Sequence, residues 1–335
     1  MMDAITRERL FGVGHVFDHP VVRALVVGLA AVLALAPLVF VILTARGMAD
    51  EKLRKDLWDR YKSWLVFIPL MFGPVLLGAA WVIGGVGLLG ILCYREFARA
   101  SGLFREWIIS VCVVLGILAI TFATLDHWYD FFAALVPLTI GVLAAASLLA
   151  DRPKGYIQRV ALGIFAFMLF GVCFGHLGYF ANDARYRPIL LWLISGVELN
   201  DIFAYITGKS LGRRKLAPNT SPNKTLGGAL GALVLTTIFA AVAGHWVFAG
   251  TAVDRPVHLI LLGMIMSAAG QFGDLTLSSL KRDLGIKDWA DTFPGHGGLL
   301  DRFNSLLFVA PAVFHYVGYI KGIGLDQPRR IITGS

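Results

Sequence analysis

Residues 24–45 contain no charged side chain, and comparable apolar runs recur along most of the chain. A helix rises 1.5 Å per residue, so about 20 apolar residues cross a hydrocarbon core about 30 Å thick. A chain built of such runs folds as helices packed inside a bilayer. Composition agrees: 57% of the 335 residues are hydrophobic and only 16% are charged, and mean hydropathy is +0.72. The fold class is therefore all-α, a polytopic integral membrane protein with about 9–10 transmembrane helices.

The apolar runs lie at 24–45, 64–94, 107–125, 131–150, 160–180, 188–207, 226–250, 257–272 and 305–320. The run at 64–94 is long for one helix, and Gly73-Pro74 or Gly84-Gly85 can break it into a hairpin. Residues 46–63 carry charges of both signs and read as a solvated interfacial helix. The first twenty residues read as a short amphipathic or disordered lead-in rather than a signal peptide. The net charge of +8 sits mainly in short loops, which points to topology and phosphate-bearing partners, not to nucleic acid. Loops 208–225 and 273–302 hold many of the Lys and Arg residues, so the positive-inside rule puts both in the cytoplasm, and a hairpin at 64–94 adds 46–63 to that side. Cys93, Cys112 and Cys173 lack metal-ligand spacing and read as small packing residues.

Two domains are expected: an N-terminal set of helices over 1–186, with nothing catalytic in it, and a C-terminal catalytic region over 187–335. The first polar constellation in that region runs from Asp201 to Gly228. Glu198 and Asp201 end an apolar run, where an ionisable group is costly unless paired, hydrated or bound to a cation. SPNKT, residues 221–225, reads as a tight turn whose N–H groups and Lys224 suit phosphate oxygens. A basic loop facing anionic lipid would look much the same.

The second constellation, 273–302, is more specific. On a helix Asp274, Ser278 and Lys281 share one face. Lys287-Asp288 follows a turn at Gly285, PGHGG surrounds His296, and Asp301-Arg302 opens the last span. Carboxylates among cations point to a divalent metal held by oxygen ligands and to phosphates clamped by Lys and Arg. A loop of surface salt bridges would not need a glycine-rich turn immediately before a charged pair entering the membrane. His176, His245, His258 and His315 occur singly and read as packing or interface residues.

Ser278, Lys281, Arg282, Lys287, Asp288, Pro294 to Gly298, Asp301 and Arg302 together resemble the signature of the phosphatidate cytidylyltransferases, the CDP-diacylglycerol synthases. Gly273-Asp274-Leu275 fits as well, as do Asp201, Ala204, Tyr205, Gly208, Gly212, Pro218, Ser221, Pro222, Lys224 and Thr225. The resemblance covers about 110 residues at the C-terminal end. It implies a membrane nucleotidyltransferase of phospholipid biosynthesis that condenses CTP with phosphatidic acid, releasing pyrophosphate.

By the same resemblance the catalytic residues are Asp274, Lys281, Arg282, Asp288, His296, Asp301 and Arg302, and Asp201, Ser221, Pro222, Lys224, Ser278, Lys287, Gly297 and Gly298 bind substrate. Asp274, Asp301 and Asp288 would hold Mg2+, with a second cation allowed. The implied partners are CTP, phosphatidic acid, membrane lipids and a second copy of the chain, and the implied location is a bacterial inner membrane.

Three positions depart from the family pattern. Gly227 stands where the family has an acid after K-T-W, Leu277 stands for the glutamate of G-D-L-F-E-S, and Asn304 for the last aspartate of D-R-x-D. The central Asp, Lys and Arg set is intact, which favours a divergent member with the same reaction, on this or another lipid phosphate. A transporter would spread its charges over many spans, and a lipid kinase would not account for residues 278–302.

Overall fold

The computed structural model describes residues 3–47, 50–290, 297–322 and 330–334. A short α1 (Ala4–Phe11) precedes α2 (Pro20–Ala45), α3 (Glu51–Leu77), α4 (Ala79–Ser101), α5 (Trp107–Leu125), α6 (Tyr129–Ser147) and α7 (Tyr156–Ala166). A π-helical stretch, Phe167–Cys173, joins α7 to α8 (Phe174–Tyr179), and α9 (Tyr186–Leu211) follows. A hairpin of β1 (Lys215–Ala217) and β2 (Ser221–Thr225) leads into α10 (Leu226–Val247), α11 (Pro256–Asp283) and α12 (Leu299–Lys321). Among the described residues nine helical segments are long and apolar enough to span a membrane. The protein is an all-α polytopic membrane protein.

The polar helix expected at 46–63 and the apolar run after it form one helix, α3, which lies antiparallel against α2. Tyr61 Oη donates to the Leu33 carbonyl at 3.1 Å, and Phe40 packs edge-on against Trp58 and Tyr61. The expected hairpin exists, but it turns at Gly78 rather than at Gly73-Pro74 or Gly84-Gly85. Gly78 has φ +141°, a value that favours glycine, and a Cβ there would collide with the Leu10 carbonyl. Pro74, inside α3, leaves the Leu70 carbonyl without its helical N–H donor, and its own carbonyl accepts from Gly78 N at 3.2 Å as the helix ends. The charged start of α3 thus shares an end of the bundle with the α9–β1 and α11–α12 connections.

The polar loops are shorter than expected. Residues 273–283 belong to α11 and 299–302 to α12, so Asp274, Ser278, Lys281, Arg282, Asp301 and Arg302 are helical. Continuing the helices satisfies their backbone groups internally, as apolar surroundings demand. SPNKT is not a tight turn: it is strand β2, paired antiparallel with β1 through Lys215↔Thr225 and Ala217↔Ser221.

At the end of the bundle away from this charge, the chain terminus is tied down. Asp126, in the α5–α6 turn, accepts from the backbone N–H groups of Ile332 and Thr333 and from Thr333 Oγ1. Arg330 lies over the Trp128 ring, 4.6 Å from its centroid. Burial pushes the Asp126 carboxyl up, but these hydrogen bonds and Arg330 outweigh it and leave its pKa below the ordinary 3.8. A depressed carboxylate stabilises the folded state above its unfolded pKa and loses that contribution as pH falls through the folded one. Limited proteolysis of residues 330–334 should therefore be slow at neutral pH and accelerate only in strong acid, whereas Asp126→Ala should release the segment at neutral pH.

Candidate active site

The α11–α12 connection is held by two carboxylates from different helices. Asp301, in the first turn of α12, uses both oxygens: Oδ1 accepts from Lys281 Nζ at 2.7 Å, and Oδ2 from Gly298 N at 2.9 Å and Trp289 N at 3.0 Å. The pair is sheltered, with side chains 6% and 14% exposed for Asp301 and Lys281. Glu96, from α4, accepts from Leu299 N and Leu300 N, both at 2.9 Å, so it caps the start of α12 with a negative charge. A Cβ at Gly297 would come 2.7 Å from Asp301 Oδ2, and one at Gly298 would come 2.5 Å from Glu96 Oε2. These glycines let both carboxylates reach the backbone. Trp289 closes the assembly against Phe97 of α4, with centroids 5.7 Å apart.

A second pair faces an open cavity of about 550 Å³ lined by Asp201, Tyr205, Lys209, Lys224, Gln271 and Asp274 among others. Lys224 at the end of β2 forms an ion pair with Asp274 Oδ2, and Asn304 Nδ2 donates to Asp274 Oδ1 at 2.6 Å. Beneath it Asn200 Oδ1 accepts from Ser267 Oγ at 2.6 Å and Thr236 Oγ1 at 3.2 Å, which crosslinks α9, α10 and α11. Asp201 lies within electrostatic reach of Asp274, which repels it, and of Lys224 and Arg302, which attract it; Glu198 lies within reach of Asp201 and Arg302. Arg282 bridges the two polar segments, donating from Nε to the Thr220 carbonyl at 3.3 Å and from Nη1 to Ile286 O at 3.4 Å.

The remaining expected site residues divide by position. Ser278 is buried on the Asp274–Lys281 face of α11, and Ser221 and Pro222 lie on β2. Lys287 and Asp288 are exposed before Trp289, with Asp288 Cβ 3.4 Å from where a Gly297 Cβ would be. His296 lies outside the described residues. Glu96 was missed in the sequence, where it is one of a few charged residues closing an apolar run. Only tertiary contact reveals its role.

The three departures have physical consequences. Gly227 packs its Cα against the end of α9, where a Cβ would lie 2.8 Å from the Leu211 carbonyl. Leu277 is 1% exposed, in apolar packing that would strip water from a carboxylate. Asn304 spends its amide oxygen on Ser305 N at 2.7 Å, so it serves Asp274 as a hydrogen-bond donor.

No cluster of three or more His, Cys, Asp or Glu with metal-ligand geometry occurs among the described residues. Asp201, Asp274 and the Gln271 amide line one cavity, and this hard oxygen set suits Mg2+, which is commonly held by one or two carboxylates plus substrate phosphates. Asp301 and Asp274 both have their two oxygens engaged by protein donors, Asp274 by Asn304 and Lys224, but only Asp274 lines the open cavity, where a metal would take the place of the Lys224 ammonium at Oδ2.

The profile of the cytidylyltransferase family matches residues 58–320, most of the chain. The chain belongs to the cytidylyltransferase family. This cytidylyltransferase is 35% identical over 255 residues to phosphatidate cytidylyltransferase of Bacillus subtilis, a match covering 70% of this chain and 85% of that one. It is 30% identical over 253 residues to the enzyme of the same name from Staphylococcus haemolyticus, covering 74% and 92% of the two chains. The uncharacterized protein YnbB of Escherichia coli is 30% identical over 268 residues, covering 78% of this chain and 87% of YnbB.

Two outcomes follow for the variant cytidylyltransferase. Lys281→Met leaves Asp301 buried without its cation and should destabilise the protein by about 3 kcal/mol, seen as a lower melting temperature in detergent. Restoring the family's acid by Gly227→Glu should lower stability through the Leu211 contact rather than raise turnover, read from melting and activity of the same preparation.

Proposed function

We propose that the chain transfers the cytidylyl group of CTP to phosphatidic acid, giving CDP-diacylglycerol and pyrophosphate. The observation that carries this reading is the convergence of Asp201, Lys224 and Asp274 from α9, β2 and α11 on one cavity. The names of the Bacillus and Staphylococcus relatives support the choice of substrates.

In this reading a phosphate oxygen of the lipid forms a bond to the α-phosphorus of CTP as the bond to pyrophosphate breaks in line. Two anions have to meet, so charge neutralisation and alignment dominate. Lys224, Arg282, Lys287 and Arg302 hold phosphate oxygens, with Ser221 and Pro222 shaping the hairpin beside them. Ser278, and His296 at the PGHGG turn, are assigned to the same substrate. Lys281 and Asp301 fix the α11–α12 connection through Gly297 and Gly298, with Asp288 beside it. Asp274 and Asp201 would hold Mg2+, which when bound neutralises phosphate charge and favours departure of pyrophosphate.

An apolar pocket lined by Leu70, Met71, Val82, Leu89, Ile194 and Phe303, among others, supports entry of acyl chains from the bilayer. Helices before 187 act as scaffold and those after it carry chemistry. The charged end faces the cytoplasm of a bacterial inner membrane, where CTP is available. A homodimer is the proposed assembly, and α2, whose most apolar window is wholly unburied, supplies a face for it.

The test is magnesium-dependent formation of CDP-lipid and pyrophosphate by protein in detergent. Lys224→Ala and Asp274→Asn should each reduce turnover by about 100-fold, the order seen when one preorganised electrostatic contact is removed. Wild-type protein that binds CTP and yields no product with phosphatidic acid would redirect the reading to another lipid phosphate. The departures at 227, 277 and 304 favour including such acceptors in the assay.

A further inference from the structure

A second polar pocket, of about 420 Å³, lies at the end of the bundle away from the catalytic cavity, between α1 and the start of α9. Two arginines line it. Arg9 is 8% exposed; its Nη1 donates to the Asn182 carbonyl at 2.6 Å, but Nε and Nη2 are buried with no partner. Arg187 donates from Nη2 to the Gly12 carbonyl and stacks on the Tyr186 ring, and its Nε is buried and unpartnered. The Tyr186 hydroxyl, on a side chain 2% exposed in this lining, is unpartnered as well. Four donor atoms on three neighbouring side chains are thus withdrawn from water with nothing to bond.

The nearby acids do not supply the missing acceptors. Glu8 lines the pocket with its carboxylate over the Gly12 backbone, Asp3 caps α1 through Thr6 N at 2.6 Å, and Asp183 is bound to Lys321; Asp3 and Asp183 act on Arg9 through space, but none of the three accepts a hydrogen bond from either arginine among the described residues. Asn182 Oδ1 is a neutral orphan acceptor in the same region. A buried guanidinium without an acceptor is expensive, and an oxyanion offsets that cost best because it accepts several charge-assisted hydrogen bonds. A water can serve one such donor, but it brings no charge. Ile5 in the lining is 77% exposed, and Phe11, at the end of the same helix, is 56% exposed. Charged donors inside and bare apolar residues outside describe the membrane interface.

We infer that this pocket binds a phosphate group, of an anionic lipid headgroup or of a free phosphate, on the membrane face opposite the catalytic cavity. The assignment is independent of the proposed reaction, because none of its residues lines the cavity holding Asp274. Arg9 and Arg187 supply the charge and Tyr186 a neutral donor, with Ile5 beside the acyl region.

The experiment compares intact wild-type protein with the double variant Arg9→Gln/Arg187→Gln. Retention of phosphatidylglycerol against phosphatidylcholine is read by native mass spectrometry, and stabilisation by inorganic phosphate by thermal shift. Wild type should prefer phosphatidylglycerol, the double variant should lose about tenfold in that preference, as expected for loss of charge-assisted contacts, and Lys224→Ala should keep it. Stabilisation of wild type but not of the variant by inorganic phosphate, without a lipid preference, assigns the site to a free anion. If Arg9→Gln does not fold, the half-buried Arg187→Gln replaces it with the same expected direction. Equal lipid retention and equal phosphate response in wild type and every folded arginine variant overturn the inference.

Discussion

Ionised side chains at membrane depth persist only where the fold supplies their counter-charge, and the charged end of this bundle is arranged around that demand. Asp301 answers to Lys281 and two backbone amides, Asp274 to Lys224 and Asn304. The first pair ties α11 to α12 and the second ties the hairpin to α11, so neutralising the charge and bringing these elements together are the same event. Such pairs add little stability over an apolar substitute, but breaking one leaves a stranded charge. They specify where α11, α12 and the hairpin must meet.

Most of the fold was legible because charge-free runs of spanning length have few alternatives in lipid. The turn at Gly78 was not. It depends on the backbone approach of Leu10, and nothing in the local sequence distinguishes Gly78 from the neighbouring Gly73 or Gly84. The segment 273–302 read as a polar loop with a helical face at Asp274, Ser278 and Lys281, because charge was equated with solvent. Helices α11 and α12 carry that charge inward, since paired side chains remove the need for water.

The same limit governed the site. Asp274, Ser278 and Lys281 share a helical face because their spacing requires it. Glu96 was invisible because its importance lies in two amides more than two hundred residues away. Gly227, Leu277 and Asn304 looked like losses of acid against the family pattern. In place, a tight helix contact, an apolar core and an amide donor account for the three. All three positions lie around the Lys and Asp residues of the candidate site.

The π-helical stretch Phe167–Cys173 turns the Phe170 carbonyl toward α4, where a Cβ on Gly90 would lie 2.5 Å from its oxygen. Only a bare Cα fits at that distance, so the contact acts as a detent: α4 cannot slide along its neighbour without a collision. Glu96 lies six residues beyond Gly90 on the same helix, and it holds the first turn of α12. The apolar half of the protein thereby sets the height at which the charged half begins.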